Sequence, residues 1–389
     1  MHTGIAEATR LTQQGRLDEA TAAIQRALGG TFAPAAQEDP GDTNEPIEVI
    51  SRLVRAIPQG ARRRAVRRPG AAAWTTPGPT LLTRGVQLPP STKAGKVASA
   101  SVPEGGRFVE RSYTNSTGTR SYKLYIPSGY IGQAVPLIVM LHGCTQSPDD
   151  FATGTRMNEL SEEHTFLVAY PAQAGNANMQ KCWNWFQAAH QQRGRGEPSL
   201  IAGITRQVVE EYEVAEGRVY VAGMSAGGAI VATYPDLYAA VGVHSGLAPV
   251  SAHDISSAFT AMRQGGPVVA HKDVLSEGYQ EVLPTIIFHG DGDTTIHPRN
   301  GDRLLVHLSR GANGSSPRVM TRQGQVPGGY EYTRFTYRDT EGRDLVERWS
   351  VHGLGHAWSG GSYPGSYADP RGLDASAEEV RFFEQDHKR

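Results

Sequence analysis

Residues 219–228 read VYVAGMSAGG, an apolar run followed by a serine between glycines and then by small residues. The apolar run is typical of a buried strand, and the residues after Ser225 are typical of the start of a helix. A serine at such a turn occupies a strained backbone, and the flanking glycines leave room for it. An ordinary glycine turn is the alternative, but the preceding strand favours a G-x-S-x-G nucleophile elbow. Ser225 is then a candidate nucleophile, and the Ala226 N–H a candidate donor to an oxyanion.

Outside this stretch, strand patterns alternate with helix patterns from about residue 107 to the C-terminus. Strands are predicted at 121–126, 136–141, 166–170, 219–222, 239–244, 285–289 and 345–351, and helices at 158–164, 201–212, 226–232, 301–309 and 376–385. This alternation predicts an α/β fold with a mostly parallel central sheet and helices on both faces. Chemistry is then expected in the loops at the carboxyl ends of the strands.

The first 106 residues have a different composition. Residues 1–30 show helical spacing of apolar side chains around a central glycine, which predicts a helical hairpin. Residues 31–106 are rich in Ala, Pro, Gly, Thr and Arg without periodicity, which predicts a low-complexity, disordered linker. We expect its arginine-rich run between residues 52 and 68 to be solvated. The catalytic domain is therefore assigned to residues 107–389.

Charge and hydropathy exclude several classes of partner. Lys and Arg total 38 against 39 for Asp and Glu, so the net charge of −1 creates no field that would attract nucleic acid. The longest apolar run lies near residues 135–141, far short of a membrane span. No secretory signal is readable at the N-terminus, which favours a cytoplasmic location, with an extracellular or periplasmic one as the alternative. The oligomeric state stays open.

A serine nucleophile needs a base and an acid downstream, in the order Ser, acid, His. The strand at 285–289 ends in GDGD, and we choose Asp293 as the acid over Asp291, which is expected to bond the turn backbone. Near the C-terminus, VHGLGHAWSGG offers two histidines. We choose His356 as the base because glycines flank its loop, and we interpret His352 as a structural residue at the strand end.

The strand at 136–141 ends in HGCTQ, where this class of fold places the second oxyanion donor. We assign that donor to the Cys144 N–H. His142 either orders this loop by bonding its backbone or helps to hold the oxyanion.

Two cysteines, Cys144 and Cys182, are too few for a zinc or iron–sulfur site of thiolates. A nucleophilic Cys144 is a rival hypothesis, and a disulfide between the two is another.

The segment KCWNWF carries Trp183 and Trp185 in a polar setting. Both tryptophans are either core residues or the wall of a cleft. With Gln146 they are our candidate substrate-binding residues, and the cleft they imply is apolar with few polar groups. Such a cleft suits a short acyl chain and its alcohol.

Taken together, the motifs LHGCTQ, CWNWF, GEPSLIAGI, YVAGMSAGGA, YPDLYAAVGVHSG, FHGDGDTTIHPRNGD and HGLGHAWSGG resemble the poly(3-hydroxybutyrate) depolymerase family of esterases, with its type I catalytic domain. The family extends to feruloyl and acetyl-xylan esterases. The resemblance implies an α/β-hydrolase fold with Ser225 as nucleophile, Asp293 as acid and His356 as base. It also implies that His142 and Cys144 lie at the oxyanion hole, that Cys144 is bridged to Cys182, and that no metal or organic cofactor is needed.

We therefore expect a serine esterase that hydrolyses short-chain, 3-hydroxybutyrate-type polyester or oligoester bonds through an acyl-enzyme. The alternatives are a feruloyl- or acetyl-xylan-type carbohydrate esterase and a non-catalytic granule-associated protein. The expected partner is the ester substrate, with neither nucleic acid nor membrane. One departure from the family is the helix after Ser225, which is about one turn shorter than usual and anchors the elbow.

Overall fold

The computed structural model describes residues 102–230, 234–267, 283–310, 318–339 and 341–385. The predicted N-terminal hairpin and all but the last few residues of the predicted linker lie outside the described residues. Within these ranges, none of the helices has the length and hydrophobicity that a bilayer crossing requires.

The described residues form twelve strands and seven α-helices. The strands are β1 (Arg107–Asn115), β2 (Gly118–Ile126), β3 (Val135–Leu141), β4 (Leu167–Pro171), β5 (Val214–Met224), β6 (Ala240–His244), β7 (Thr285–Gly290), β8 (Arg318–Gln325), β9 (Glu331–Arg338), β10 (Asp344–Val351), β11 (Trp358–Ser359) and β12 (Ala368–Asp369). The helices are α1 (Pro148–Thr155), α2 (Met157–His164), α3 (Gly196–Glu211), α4 (Ala226–Ile230), α5 (Ile255–Gln264), α6 (Arg299–Arg310) and α7 (Ala375–Phe383).

Ten of the strands form one sheet in the order β1-β2-β4-β3-β5-β6-β7-β10-β9-β8. The pairs from β4 through β3, β5, β6 and β7 to β10 are all parallel. Antiparallel strands extend the sheet at both edges, with β1 and β2 at one side and β9 and β8 at the other. This arrangement confirms the predicted α/β fold with a mostly parallel central sheet.

The parallel strands form because their side chains are buried on both faces. Every residue of β3 (VPLIVML) is buried, and the same holds for β4, β6 and β7. Continuous apolar runs of this kind are typical of strands covered by helices on both sides. On one face, α7 contributes Phe383, whose ring stacks on Tyr220 of β5 at a centroid distance of 4.8 Å.

Every predicted strand coincides with an observed one, but the sequence did not predict β1, β8, β9 or the two-residue strands β11 and β12. The strand β8 (RVMTRQGQ) is almost wholly exposed at the sheet edge, and β1 is only half-buried. Edge strands need little apolar surface, so their sequences lack the apolar run that identifies a central strand. The helices α1 and α5 were also missed, although Asp254 forms a capping box at the start of α5.

The elbow packs against the end of β3 at a distance that only glycine permits. A Cβ atom on Gly227 would lie 2.1 Å from the carbonyl oxygen of Leu141, and one on Gly223 would lie 2.5 Å from the carbonyl carbon of Gly227. The helix α4 that follows Ser225 is described as far as Ile230, whereas the sequence predicted it to residue 232; residues 231–233 lie outside the described residues.

One carboxyl group of α7 is buried in the core. Glu379 is fully buried, and neither of its carboxyl oxygens has a hydrogen-bond partner among the described residues. It faces Gly242 of β6, where a Cβ atom would lie 2.7 Å from Glu379 Oε1. Burial, together with the nearby Asp374 charge, raises the pKa of Glu379 well above its usual value, so the group is neutral in the folded protein.

We predict that Glu379→Gln removes a pH-dependent loss of stability. The unfolded chain releases the Glu379 proton at an ordinary pKa and the folded chain does not, so stability falls as the pH rises above about 4.3. The variant should therefore exceed the wild type in unfolding free energy at pH 8, and the difference should narrow toward pH 4. Urea unfolding across this range measures it; a difference that does not change with pH would contradict the prediction.

Candidate active site

The candidate nucleophile is held at a sharp turn between β5 and α4. Ser225 has a φ of 55°, in the left-handed region that favours glycine, and its N–H donates to the carbonyl oxygen of His244 at 3.0 Å. A non-glycine residue in this conformation costs about 1–3 kcal/mol and persists where the surroundings enforce it. The side chain is thereby presented at the carboxyl end of the parallel strands, although the residue as a whole is only 8% exposed.

The loop after β7 delivers the candidate acid. Asp293 is buried, and its Oδ1 accepts hydrogen bonds from the N–H groups of Thr295 at 2.9 Å and Ile296 at 2.8 Å. Its Oδ2 lies 2.7 Å from Nδ1 of His356. The carboxylate is thus fixed by its own loop on one side and by the candidate base on the other.

The surroundings keep this carboxyl group ionised. Burial by itself would raise the pKa of Asp293, but its interactions with the His289 and His356 imidazoles and the Ile296 N–H hold the pKa well below its usual range. His289 Nε2 lies 3.6 Å from Asp293 Oδ2 and donates to the Ile296 carbonyl oxygen at 2.8 Å. An ionised acceptor at Nδ1 places the His356 proton there and leaves Nε2 as the basic nitrogen.

The other aspartate of this loop pairs with the other histidine. Asp291 Oδ2 lies 2.9 Å from His352 Nδ1, and Asp291 Oδ1 accepts from the Gly353 N–H at 2.6 Å. His352 Nε2 is 2.9 Å from Thr333 Oγ1. This second pair ties the β7 and β10 loops together outside the cavity described next, so the structure places Asp293 and His356, rather than Asp291 and His352, on the side of Ser225.

Ser225 and His356 line one cavity of about 680 Å³. The loop at 143–146 borders it on one side, and the segment at 177–187 and α5 contribute further walls. None of the described residues that line it is an Asp, Glu, Lys or Arg. Elsewhere among the described residues, no group of three or more His, Cys, Asp or Glu side chains is arranged to hold a metal ion.

The two candidate oxyanion donors come from the loop at 142–146, which contains Cys144, and from the start of α4 at Ala226. Cys144 and Ala226 both line the cavity, and neither backbone N–H has a hydrogen-bond partner among the described residues. The Gly143 N–H, in contrast, donates to Gln146 Oε1 at 2.9 Å, and Gln146 Nε2 donates to the Ser366 carbonyl oxygen at 3.0 Å. Gln146 borders the cavity, but its amide is used to hold this loop in shape.

His142 bonds backbone groups through both ring nitrogens. Nδ1 lies 2.7 Å from the Gly143 carbonyl oxygen, and Nε2 accepts from the Gln173 N–H at 3.1 Å. Burial lowers the pKa of His142 to about 4, so the ring is neutral and has the proton on Nδ1. Of the two roles that the sequence left open, this placement favours the ordering of the loop.

Cys144 and Cys182 form a disulfide, as the resemblance implied. The two neighbouring tryptophans behave differently. Trp185 lines the cavity, whereas Trp183 is fully buried behind the loop, and its indole N–H donates to the His142 carbonyl oxygen at 3.0 Å. The expectation that Trp183 forms part of the cleft wall is therefore corrected: its side chain points into the core, where it supports the backbone of the loop at 142–146.

The segment that carries the two tryptophans is also held by a buried carboxyl group that the sequence did not single out. Glu197, at the start of α3, accepts hydrogen bonds from the backbone N–H and the side-chain Nδ2 of Asn184, each at 2.7 Å. Gln173 Nε2 also donates to it, and Arg120 lies 3.3 Å away. Glu197 is part of the motif GEPSLIAGI, which is apparent in the sequence. The contacts of Glu197 to the segment that carries Trp183 and Trp185 form only in the folded chain.

The strand order, the elbow between β5 and α4, and the acid and histidine loops after β7 and β10 define an α/β-hydrolase fold. A sequence profile of the esterase PHB depolymerase family matches residues 120–323, more than half of the chain. The protein belongs to this family.

Among curated relatives, the chain is 33% identical over 256 residues to poly(3-hydroxyalkanoate) depolymerase C of Paucimonas lemoignei, covering 62% of this chain and 59% of the relative. It is 29% identical over 202 residues to acetylxylan esterase A of Talaromyces purpureogenus, covering 48% and 52%. Feruloyl esterase B of Neurospora crassa is 30% identical over 233 residues, covering 54% and 78%. The chain thus spans less than two thirds of the length of the first two relatives.

Among solved structures, the acetyl xylan esterase from Aspergillus awamori superposes with a TM-score of 0.54 and 21% sequence identity. The match covers 71% of this chain and 98% of that structure. At this identity the similarity is one of fold.

We predict that substitutions at the candidate triad residues will show which of the two aspartates, Asp293 or Asp291, acts as the acid. Ser225→Ala and His356→Ala should each lower kcat on a soluble ester by about 10⁴-fold, and Asp293→Asn by a similar or somewhat smaller factor, because the imidazole loses its oriented tautomer. Asp291→Asn is the matched control and should change kcat far less. Steady-state kinetics on variants with wild-type circular dichroism tests this; a larger effect from Asp291→Asn would show that the acid is misassigned.

We predict that the disulfide stabilises the protein and the cavity wall. It links residues that are 38 positions apart, and the double variant Cys144→Ser/Cys182→Ser should lose about 3–4 kcal/mol of unfolding free energy. Urea unfolding measures the loss. The wild type should match this variant once a thiol reductant is added, and the variant should not respond to the reductant. Two free thiols in the denatured, unreduced wild type after aerobic purification would contradict the bridge.

Proposed function

We propose that this protein is a serine esterase that hydrolyses short-chain polyester or oligoester bonds of the 3-hydroxybutyrate type. The observation that carries the proposal is the joint placement of Ser225, the Asp293–His356 pair and the Cys144 and Ala226 N–H groups around one cavity. Among the described residues, these two N–H groups have no hydrogen-bond partner, and no Asp, Glu, Lys or Arg lines the cavity. Membership of the esterase family supports the reaction class. The depolymerase and the acetylxylan and feruloyl esterases among its relatives all act, by their names, on esters or polyesters.

In the proposed reaction, Ser225 Oγ attacks the ester carbonyl carbon while His356 Nε2 takes its proton. The carbonyl oxygen becomes an oxyanion, which the N–H groups of Cys144 and Ala226 stabilise. As the tetrahedral intermediate collapses, the imidazolium returns the proton to the leaving alcohol. Water then attacks the acyl-enzyme by the same route, and the ionised Asp293 stabilises the imidazolium in both halves of the reaction.

The walls of the cavity support a neutral, apolar substrate. Helix α5 contributes four apolar residues at helical spacing, so that one face of the helix lines the cavity; these are Ile255, Ala258, Phe259 and Met262. Trp185, Phe186, Leu247 and Ile296 extend the apolar surface. Burial of aliphatic groups against such a wall stabilises binding by about 0.8 kcal/mol per methylene, so acyl chains longer than acetyl should bind better.

The competing hypothesis is a carbohydrate esterase, which the acetylxylan and feruloyl esterase relatives favour. Both hypotheses share the serine chemistry and differ in the group that the cavity must accept. An acetyl group fills little of 680 Å³, whereas a hydroxybutyrate unit with its neighbouring ester uses more of the apolar wall. We therefore place the polyester or oligoester substrate first.

We predict the following order of activities. The wild type should hydrolyse p-nitrophenyl butyrate with a higher kcat/KM than the acetate, and it should release monomer from soluble 3-hydroxybutyrate oligomers. Acetylated xylan and methyl ferulate should react far more slowly. Ser225→Ala, assayed beside the wild type, should abolish turnover on every substrate, because the attacking oxygen is lost.

The readouts are p-nitrophenolate absorbance and chromatography of the released acids. Activity restricted to acetylated xylan or feruloyl esters would replace the polyester proposal by the carbohydrate esterase. Binding of the wild type and Ser225→Ala to polymer granules, with no turnover of any ester by either, would favour the non-catalytic granule-associated protein.

A further inference from the structure

A tyrosine that the sequence did not single out lies against the candidate base. Tyr367 lines the cavity together with His356, and the two rings meet edge to face at 74° with their centroids 6.2 Å apart. The tyrosine is 45% exposed, so one part of its ring touches the site and another part faces solvent. It lies in the loop between β11 and β12, whose pairing is short and local.

While its ring contacts the candidate base, the hydroxyl group of this tyrosine contacts Thr145, in the loop at 142–146. Thr145 Oγ1 donates to the Cys144 carbonyl oxygen at 2.6 Å and lies 3.2 Å from the Tyr367 hydroxyl. Because the threonine proton is used by that carbonyl group, the tyrosine is the donor in the second hydrogen bond. A chain of two hydrogen bonds therefore runs from the neighbour of His356 to the residue that presents the candidate oxyanion N–H.

Both ends of this contact adopt left-handed backbone conformations. The φ angle is 66° at Thr145 and 53° at Tyr367. Each residue is held by a backbone hydrogen bond of 2.6 Å, from the Thr145 N–H to the Gln180 carbonyl oxygen and from the Trp358 N–H to the Tyr367 carbonyl oxygen. Strained non-glycine residues concentrate at functional sites, and here both point their side chains at the edge of one cavity.

From this placement, we propose that Tyr367 determines specificity for the alcohol portion of the ester. The proposal rests on the esterase function proposed above. His356 must return a proton to the leaving alcohol, so the alcohol oxygen has to come within hydrogen-bond reach of the imidazole. The atoms next to that oxygen then lie beside the ring that contacts the imidazole, which is the ring of Tyr367.

The half-exposed ring suits an alcohol group that continues beyond the cavity. Its face offers an apolar surface to the first carbons after the ester oxygen, and its exposed edge lets a longer group pass toward solvent. In a hydroxyacid oligomer the alcohol portion is the next unit of the chain, so it has this shape. An alcohol as small as methanol would leave the ring uncovered.

The experiment compares esters that differ only in the alcohol with esters that differ only in the acyl group. For butyrate esters of benzyl alcohol and methanol, kcat/KM reports acylation, the step in which the alcohol leaves. Tyr367→Ala should lower the benzyl-to-methyl ratio of kcat/KM at least about fivefold, because the aromatic contact is lost. The ratio between p-nitrophenyl butyrate and acetate should stay at the wild-type value.

Two further variants separate the ring from the hydroxyl group. Tyr367→Phe keeps the ring, so it should keep the benzyl-to-methyl ratio while lowering kcat on all esters a few-fold through loss of the Thr145 contact. Tyr367→Leu removes the ring but keeps a large side chain, and it replaces the alanine variant if that variant does not fold. Tyr363→Ala is the matched control, because Tyr363 lies in the same loop, is 71% exposed and does not line the cavity.

The inference would be overturned if Tyr367→Ala or Tyr367→Leu lowered kcat/KM on all esters by one common factor and left the benzyl-to-methyl ratio unchanged. An equal shift of that ratio in Tyr363→Ala would do the same. A wild type that hydrolyses none of these esters would overturn the esterase proposal itself and this inference with it. Hydrolysis by the wild type with unaltered ratios in the variants would leave the esterase proposal standing.

Discussion

The site depends on the close contact between the elbow and the end of β3. Because Gly227 has no Cβ atom, its backbone can approach the Leu141 carbonyl oxygen, where a methyl group would lie at 2.1 Å. Adjacent parallel strands thereby present the candidate nucleophile and the loop of the candidate oxyanion donor Cys144 at the same edge of the sheet. Ser225 gains its left-handed conformation, and the Cys144 and Ala226 N–H groups line the same cavity. A larger residue at position 227 would separate these two parts of the site.

Two buried carboxyl groups show how hydrogen-bond donors decide ionisation in this protein. Asp293 receives two backbone N–H groups and an imidazole, and its pKa lies well below the usual range despite burial. Glu379 is buried against Gly242 without a donor among the described residues, and its pKa lies well above the usual range. The first is charged and can stabilise an imidazolium, whereas the second is a neutral core group that opposes folding at high pH.

The central sheet and the segments packed on it contribute different parts of the candidate site. The parallel strands position the candidate catalytic residues, while the described walls of the cavity come from α5, from the segment that the disulfide attaches to the loop at 142–146, and from the loop of Tyr367. These walls are apolar or uncharged, and they belong to segments that pack on the sheet instead of forming it. The relatives are named for polyesters, acetylated xylan and feruloyl esters. These names are consistent with a family in which the same ester hydrolysis is combined with different cavity walls.

The sequence by itself predicted the central strands, the elbow at Ser225, and Asp293 and His356 as the candidate acid and base, because local patterns of apolar runs, glycines and turn residues indicate each of them. Only the tertiary structure decided where neighbouring side chains point. It placed Trp183 in the core and Trp185 at the cavity, although a single residue separates them in the chain. It also joined Thr145 to Tyr367, which are 222 positions apart. Local patterns report which segments are buried, but side-chain direction and long-range contacts arise only when the strands pack together.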